Sequence, residues 1–193
     1  MLCIRGGVLL AWVMLAVPVP PVPGEPAGGR VRRPLVQTAA GITLGLKTLD
    51  SQVVTMFGQG CYLRDEGHGG GRHFISPDRS LTLHTIIGVD NATDYVELSG
   101  FPNLPKPCIG FPGATSRRLA TIPEVEHGVR LGMSMDALVA VLGPPDSEER
   151  KGAARTLIYR TDVTKDDRVG LDYEARYRFV ADRLTQLSIY DGE

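Results

Sequence analysis

Charge of one sign is the first thing this sequence lacks. Its 21 Lys and Arg stand against 22 Asp and Glu, for a formal net charge of −1, and the two signs are interspersed. Such a chain has no broad field with which to hold a nucleic-acid backbone or an anionic membrane, so nucleic acid is not expected as a partner. Long hydrophobic runs are also missing. The longest, Val8 to Val17 (VLLAWVMLAV), is too short at about 1.5 Å per residue to cross a hydrocarbon core of roughly 30 Å. No transmembrane span is therefore expected. What is present is 42% hydrophobic residues in 193, ample for a packed core.

The apolar run follows Arg5 and precedes PVPPVPGEPAGG. A basic start, a short apolar segment and then small and helix-breaking residues are the grammar of a secretory signal. Residues 1–29 are expected to be a signal peptide and Pro/Gly-rich segment, and the chain to be exported, to the periplasm or beyond. Cys3 lies ahead of the apolar run, where it cannot serve as a lipid-bearing cysteine, so no lipid anchor is expected. The remaining cysteines, Cys61 and Cys108, would meet an oxidising compartment and are predicted to form one disulfide.

Two stretches resemble one another: LGLKTLDSQVVTMFG (Leu44 to Gly58) and LGMSMDALVAVLG (Leu131 to Gly143). In the second, Ser134 is placed to cap a helix whose apolar positions Met135, Leu138, Val139 and Leu142 share a face, and Gly143-Pro144-Pro145 stops it. In the first, Leu49, Val53, Met56 and Phe57 make the face and Gly58 ends it. Period-two patterns follow each helix: HFIS, LTLHTIIGV and DYVELS in the first half, and TLIYRT, YEARYRFV and LTQLSIY in the second. Between them Gly100 to Thr121 is too rich in Pro and Gly for a helix or central strand. The expected organisation is a repeat at 36–99, a Pro/Gly-rich linker at 100–124 and a second repeat at 125–193. The expected fold class is α+β, in two tandem units. Each would pack a short N-terminal helix on a three- to four-stranded antiparallel sheet.

Gly132-Met133-Ser134, the apolar helix ending Leu142-Gly143-Pro144-Pro145, and the Tyr-rich strand with its terminal hairpin resemble exported domains of the SmpA/BamE type. The tandem arrangement is similar to the β-lactamase inhibitory protein (BLIP-like) fold. That resemblance implies proteins that bind other proteins through a sheet surface or loops, and it carries no catalytic residue across. The family's lipid-bearing cysteine is missing here.

Enzyme signatures are sparse. His68 and His73 flank three glycines, but no third ligand completes a zinc site. The loop DEGHGGGR leads into a strand rather than a helix, so it is no phosphate cradle. Ser76, Asp78 and His84 are the right types for nucleophilic catalysis without a nucleophile elbow to assemble them, and His127 completes no motif. Asn91-Ala92-Thr93 is a glycosylation sequon on an expected turn. The chain is read as non-enzymatic and without a cofactor. The alternative is a small exported hydrolase using His68, His73 or His84.

Strand alternation assigns Arg160, Glu174, Arg176, Arg178, Gln186, Ser188 and Tyr190 to the sheet face opposite the helices. Arg and Tyr on a rigid surface are residue types that dominate protein interfaces. The expectation is a binding module for another exported or envelope protein, in cell-envelope assembly or inhibition of that partner.

Overall fold

A computed structural model describes residues 38–64, 70–88, 90–100, 104–120, 125–163 and 171–192, all within the unit Arg33–Glu193. The expected signal segment and His68 lie outside the described residues. A small hairpin of β1 (Thr38–Ala39) and β2 (Ile42–Thr43) opens the fold. It leads through β3 (Gly45–Leu49) into α1 (Asp50–Phe57), after which come β4 (Cys61–Leu63), β5 (Gly70–Ile75), β6 (Thr82–Ile87) and β7 (Ala92–Ser99). Residues 104–120 run through three short 3-10 turns. The helix α2 (Met135–Leu142) then precedes β8 (Ser147–Lys151), β9 (Ala154–Val163), β10 (Leu171–Val180) and β11 (Arg183–Gly192).

The helices form where the apolar spacing and caps put them. Ser134 Oγ accepts from the Ala137 amide at 3.2 Å, satisfying one of the orphan donors of the first turn of α2. Gly143, at φ 80°, ends the helix in a conformation that a side chain would strain. α1 uses a different device, with the Leu49 amide donating to Gln52 Oε1 at 2.7 Å. Each helix is eight residues long, too short to persist alone, and holds its shape by burying one stripe: Val53 and Phe57 from α1, and Met135, Leu138 and Leu142 from α2.

The expected fold class is corrected by the sheet. The protein is mostly β, with two helices among the described residues and one nine-stranded antiparallel sheet in the order β4-β5-β6-β7-β11-β10-β9-β8, β3 pairing with β7. It is not two helix-on-sheet units, each with its own sheet. The last strands of the two halves join edge to edge, from Gln186 against Ser99 to Tyr190 against Tyr95. Leaving β7 and β11 apart would expose two long edges with unpaired amides and carbonyls, and their pairing removes both. The core is likewise shared. Val53, Phe57, Phe74, Leu83, Val96 and Leu98 belong to the same buried cluster as Leu138, Leu142, Tyr177, Phe179, Leu187 and Ile189. Both helices therefore cover one face of one sheet.

The remaining ends of the sheet are managed separately. β8 is an edge of Ser, Glu, Glu, Arg and Lys, exposed at four of its five positions, which discourages pairing with another chain. At the other edge β4 is three residues long, and beyond it Thr115 bridges to Ile75, with the Ser116 amide donating to the Ile75 carbonyl at 2.9 Å. The Pro/Gly-rich connector thus finishes the edge that β4 leaves open.

Candidate functional site: the polar face of the sheet

With one face buried under the helices, the alternation of each strand sends the other side chains to the opposite face. Register aligns them. Arg176, Ser188, Glu97, His84, His73 and Cys61 occupy successive paired positions on β10, β11, β7, β6, β5 and β4. Six strands at about 4.8 Å spacing make this row roughly 24 Å long. A parallel row holds Arg160, Glu174, Tyr190, Tyr95, Ile86 and Gly71. A third holds Arg178, Gln186, Ser99, Thr82 and Ile75. All seven polar residues assigned to this face from the sequence lie on it.

At the β10 end the side chains form a charged network. Glu174 accepts from Arg160 Nε at 2.7 Å and from Arg176 Nε, and Arg176 Nη1 reaches Glu149 Oε2 at 3.4 Å. Partial burial pushes the Glu174 carboxyl up, but the hydrogen bonds from Arg176 and Arg160 outweigh it and hold the group below the usual carboxylate range. Arg178 Nη1 lies 3.5 Å from Gln186 Oε1, and Tyr190 is exposed.

The centre of the face is aromatic and less hydrated. The imidazoles of His73 and His84 stack with centroids 4.0 Å apart, and Tyr95 meets His84 edge-on at 5.5 Å. The Tyr95 hydroxyl donates to Glu97 Oε2 at 2.6 Å. Burial, followed by the Glu97 charge, pushes the Tyr95 phenol above its usual range. Burial lowers His73 to about 4, with His84 adding to the effect and Glu97 opposing it. Burial alone lowers His84 to about 4. Both imidazoles are neutral near pH 7, able to donate one hydrogen bond and accept another.

A glycine makes the stack possible. A Cβ at Gly71 would stand 2.8 Å from His84 Nε2 and 2.9 Å from the Thr85 carbonyl oxygen, so β5 has to pass under His84 without a side chain at that position. The glycine-rich stretch was expected to be loop up to Arg72. It is strand from Gly70 onward, and Gly70 and Gly71 serve close approach, to the Tyr62 and His84 side chains, rather than a turn.

The other candidate residues separate. Ser76 Oγ donates to Asp78 Oδ1 at 2.5 Å and accepts from the Leu81 amide at 2.9 Å, so this pair closes the β5–β6 turn. His127 sits at φ 61° with Nε2 3.9 Å from Glu126. Asn91 is an exposed turn residue at φ 58°, but Thr93 of the sequon is fully buried. Among the described residues no group of three or more His, Cys, Asp or Glu is placed to hold a metal ion, and no helix is long and apolar enough to cross a membrane.

Cys61 and Cys108 form a disulfide, with Cα atoms 5.6 Å apart. With Ile75 and Ala114 they make a second, smaller buried cluster, which fastens the connector beside the histidine pair. Sequence reading missed Tyr95, Glu97 and Glu149. The first two were legible, because Val96 and Leu98 of the same strand alternate with them. Glu149 was not, because β8 is polar throughout and carries no period-two signal.

No protein-family model matches the chain, and no curated protein matches it. Among solved structures, a DUF4309 family protein (YjgB) from Bacillus subtilis subsp. subtilis str. 168 is similar at 14% identity and a TM-score of 0.43, over 78% of this chain and 82% of that one.

Proposed function

We propose that this chain is an exported, non-enzymatic binding module that takes a protein partner on the polar face of its sheet. The observation that carries this reading is the combination of Arg160, Arg176, Tyr190, Tyr95 and the stacked histidines on one face, with the helices packed on the other. A sheet backbone holds these side chains at fixed spacing, so little ordering is needed on association. Arginines and aromatic rings supply directional contacts together with large buried area. The resemblance of Gly132–Pro145 to the SmpA/BamE type favours the same role. Export is favoured by the N-terminal segment and by the disulfide, a bond typical of oxidising compartments.

A photo-crosslinking amino acid at Ser188, in the middle of the face, tests the reading in the native host. Adducts are expected from position 188 and should be lost with Arg176→Glu and Arg178→Glu. The same probe at Ala140, on the outer side of α2, should yield none. Adducts at 140 without adducts at 188 overturn the proposal. A hydrolytic activity abolished by His73→Gln or His84→Gln would favour the hydrolase instead.

A further inference from the structure

The balanced charge of the whole chain hides a local imbalance. From Leu98 to Pro123 the sequence holds Lys106, Arg117 and Arg118 and not one Asp or Glu. All three cations are exposed, and none makes an ion pair with another described residue. Within this basic stretch stand Ile109, 65% exposed, and Phe111, 47% exposed. No other large hydrophobic side chain among the described residues is as exposed as Ile109.

These two side chains are held out rather than left loose. The Cys108 amide donates to Pro105, Ile109 to Lys106, Phe111 to Cys108 and Ala114 to Phe111, at 2.8 to 3.2 Å. Cys108, immediately before Ile109, is fully buried and bonded to Cys61. Gly110, at φ 81°, turns the chain between the two apolar residues. A pinned turn gives up little conformational freedom on docking, which removes one of the main costs of binding through a loop.

We propose that this turn is an interfacial membrane anchor, inserting Ile109 and Phe111 among the headgroups of an anionic bilayer while the basic connector stays at the surface. In the chain the two apolar residues follow Lys106 and precede Arg117 and Arg118, and apolar side chains within a basic segment are the pattern that fits a lipid surface of negative potential. The apolar area is small for a stable protein–protein interface, which needs a buried cluster of many residues a side. The anchor is independent of the polar sheet face, and either can hold without the other.

The test uses the full chain with Trp12→Phe and Phe111→Trp, so that the single indole reports the turn and not the N-terminal apolar run. On vesicles of phosphatidylglycerol and phosphatidylethanolamine its emission should shift to the blue and be quenched by brominated acyl chains. Phosphatidylcholine vesicles should give little of either. Adding Lys106→Glu, Arg117→Glu and Arg118→Glu should weaken the effect about tenfold, and raising salt should do the same in the parent. Amide hydrogen exchange on the unsubstituted chain should show added protection at 108–113 on anionic vesicles, which controls for damage by the new indole. An indole unshifted and unquenched, with no added protection in the parent chain, overturns the proposal and leaves the turn to a protein partner. Equal insertion into neutral vesicles overturns the anionic selectivity.

Discussion

The imidazole of His73 lies flat against that of His84, ring centroids 4.0 Å apart and planes 11° from parallel. Antiparallel register makes the two residues directly opposed on β5 and β6. Glu97 follows on β7 in the same row, and Tyr95 closes the edge of the His84 ring.

Acid should loosen this arrangement. Both histidines titrate at about 4 in the folded protein, against about 6.5 in an unfolded chain. Between those values the unfolded state binds more protons, so stability rises with pH and is lost as pH falls from about 6.5 to about 4. The groups facing the pair are Glu97, in the same row, and Tyr95, against the edge of the His84 ring. Urea midpoints at pH 7 and pH 4.5 should differ less for His73→Gln with His84→Gln than for the parent. An equal difference in both proteins would show that the acid sensitivity lies elsewhere.

The disulfide joins positions separated by 47 in sequence. Replacing both cysteines by Ala should lower unfolding stability by roughly 4 kcal/mol in the chain-entropy treatment. Amide exchange should rise first in 104–114. A double variant as stable as the parent would mean that the packing of Ile75 and Ala114 is enough to hold the connector.

Arg72 ties α1 to the sheet. Its guanidinium meets both carboxylate oxygens of Asp50 at 2.5 and 2.7 Å, donates to the Gln59 carbonyl at 2.6 Å and lies 5.1 Å from the Tyr62 ring centroid. The hydrogen bonds it donates to Asp50, and the Asp50 charge, raise the Arg72 pKa against the opposing effect of burial. Asp50 is also the first residue of α1, where a negative charge favours the helix. Arg72→Met should cost about 2 kcal/mol, read by urea unfolding. Asp50→Asn should cost less, because it keeps an acceptor for the guanidinium.

Tyr177 is fully buried, and its hydroxyl has no hydrogen-bond partner among the described residues. Its ring meets Tyr159 edge-on at 5.5 Å, whereas the Tyr159 hydroxyl donates to the Gly143 carbonyl at 3.0 Å. Tyr177→Phe should therefore be neutral or stabilise by up to about 1 kcal/mol. Tyr159→Phe should destabilise by about 1 kcal/mol, since it unpairs the helix-ending carbonyl. Thermal melts of the two variants moving in the same direction would contradict this assignment.

The alternation in YEARYRFV was enough to place Tyr173, Ala175, Tyr177 and Phe179 inside and Glu174, Arg176 and Arg178 outside, because pleating is a local property of the backbone. The cap at Ser134 and the stop at Gly143 were legible for the same reason: both satisfy amides and carbonyls within a turn of themselves. The stack of His73 on His84 was not, since it depends on which strand lies beside which, and on a glycine at 71 whose use is visible only from the neighbouring strand. Strand β8 escaped because an exposed edge has no buried face to mark it.

The sequence by itself determined the local pieces: two short helices with their ends, strands with an inner and an outer face, and two cysteines suited to a disulfide. Each of these follows from dihedral preference, side-chain spacing and redox chemistry within the chain. Only the tertiary structure decided that β7 and β11 pair, which joins two expected units in one large sheet over a shared main core. Pairing between strands so far apart in the chain is won by burying edges and apolar faces together, a gain that belongs to the assembled sheet and to no single strand.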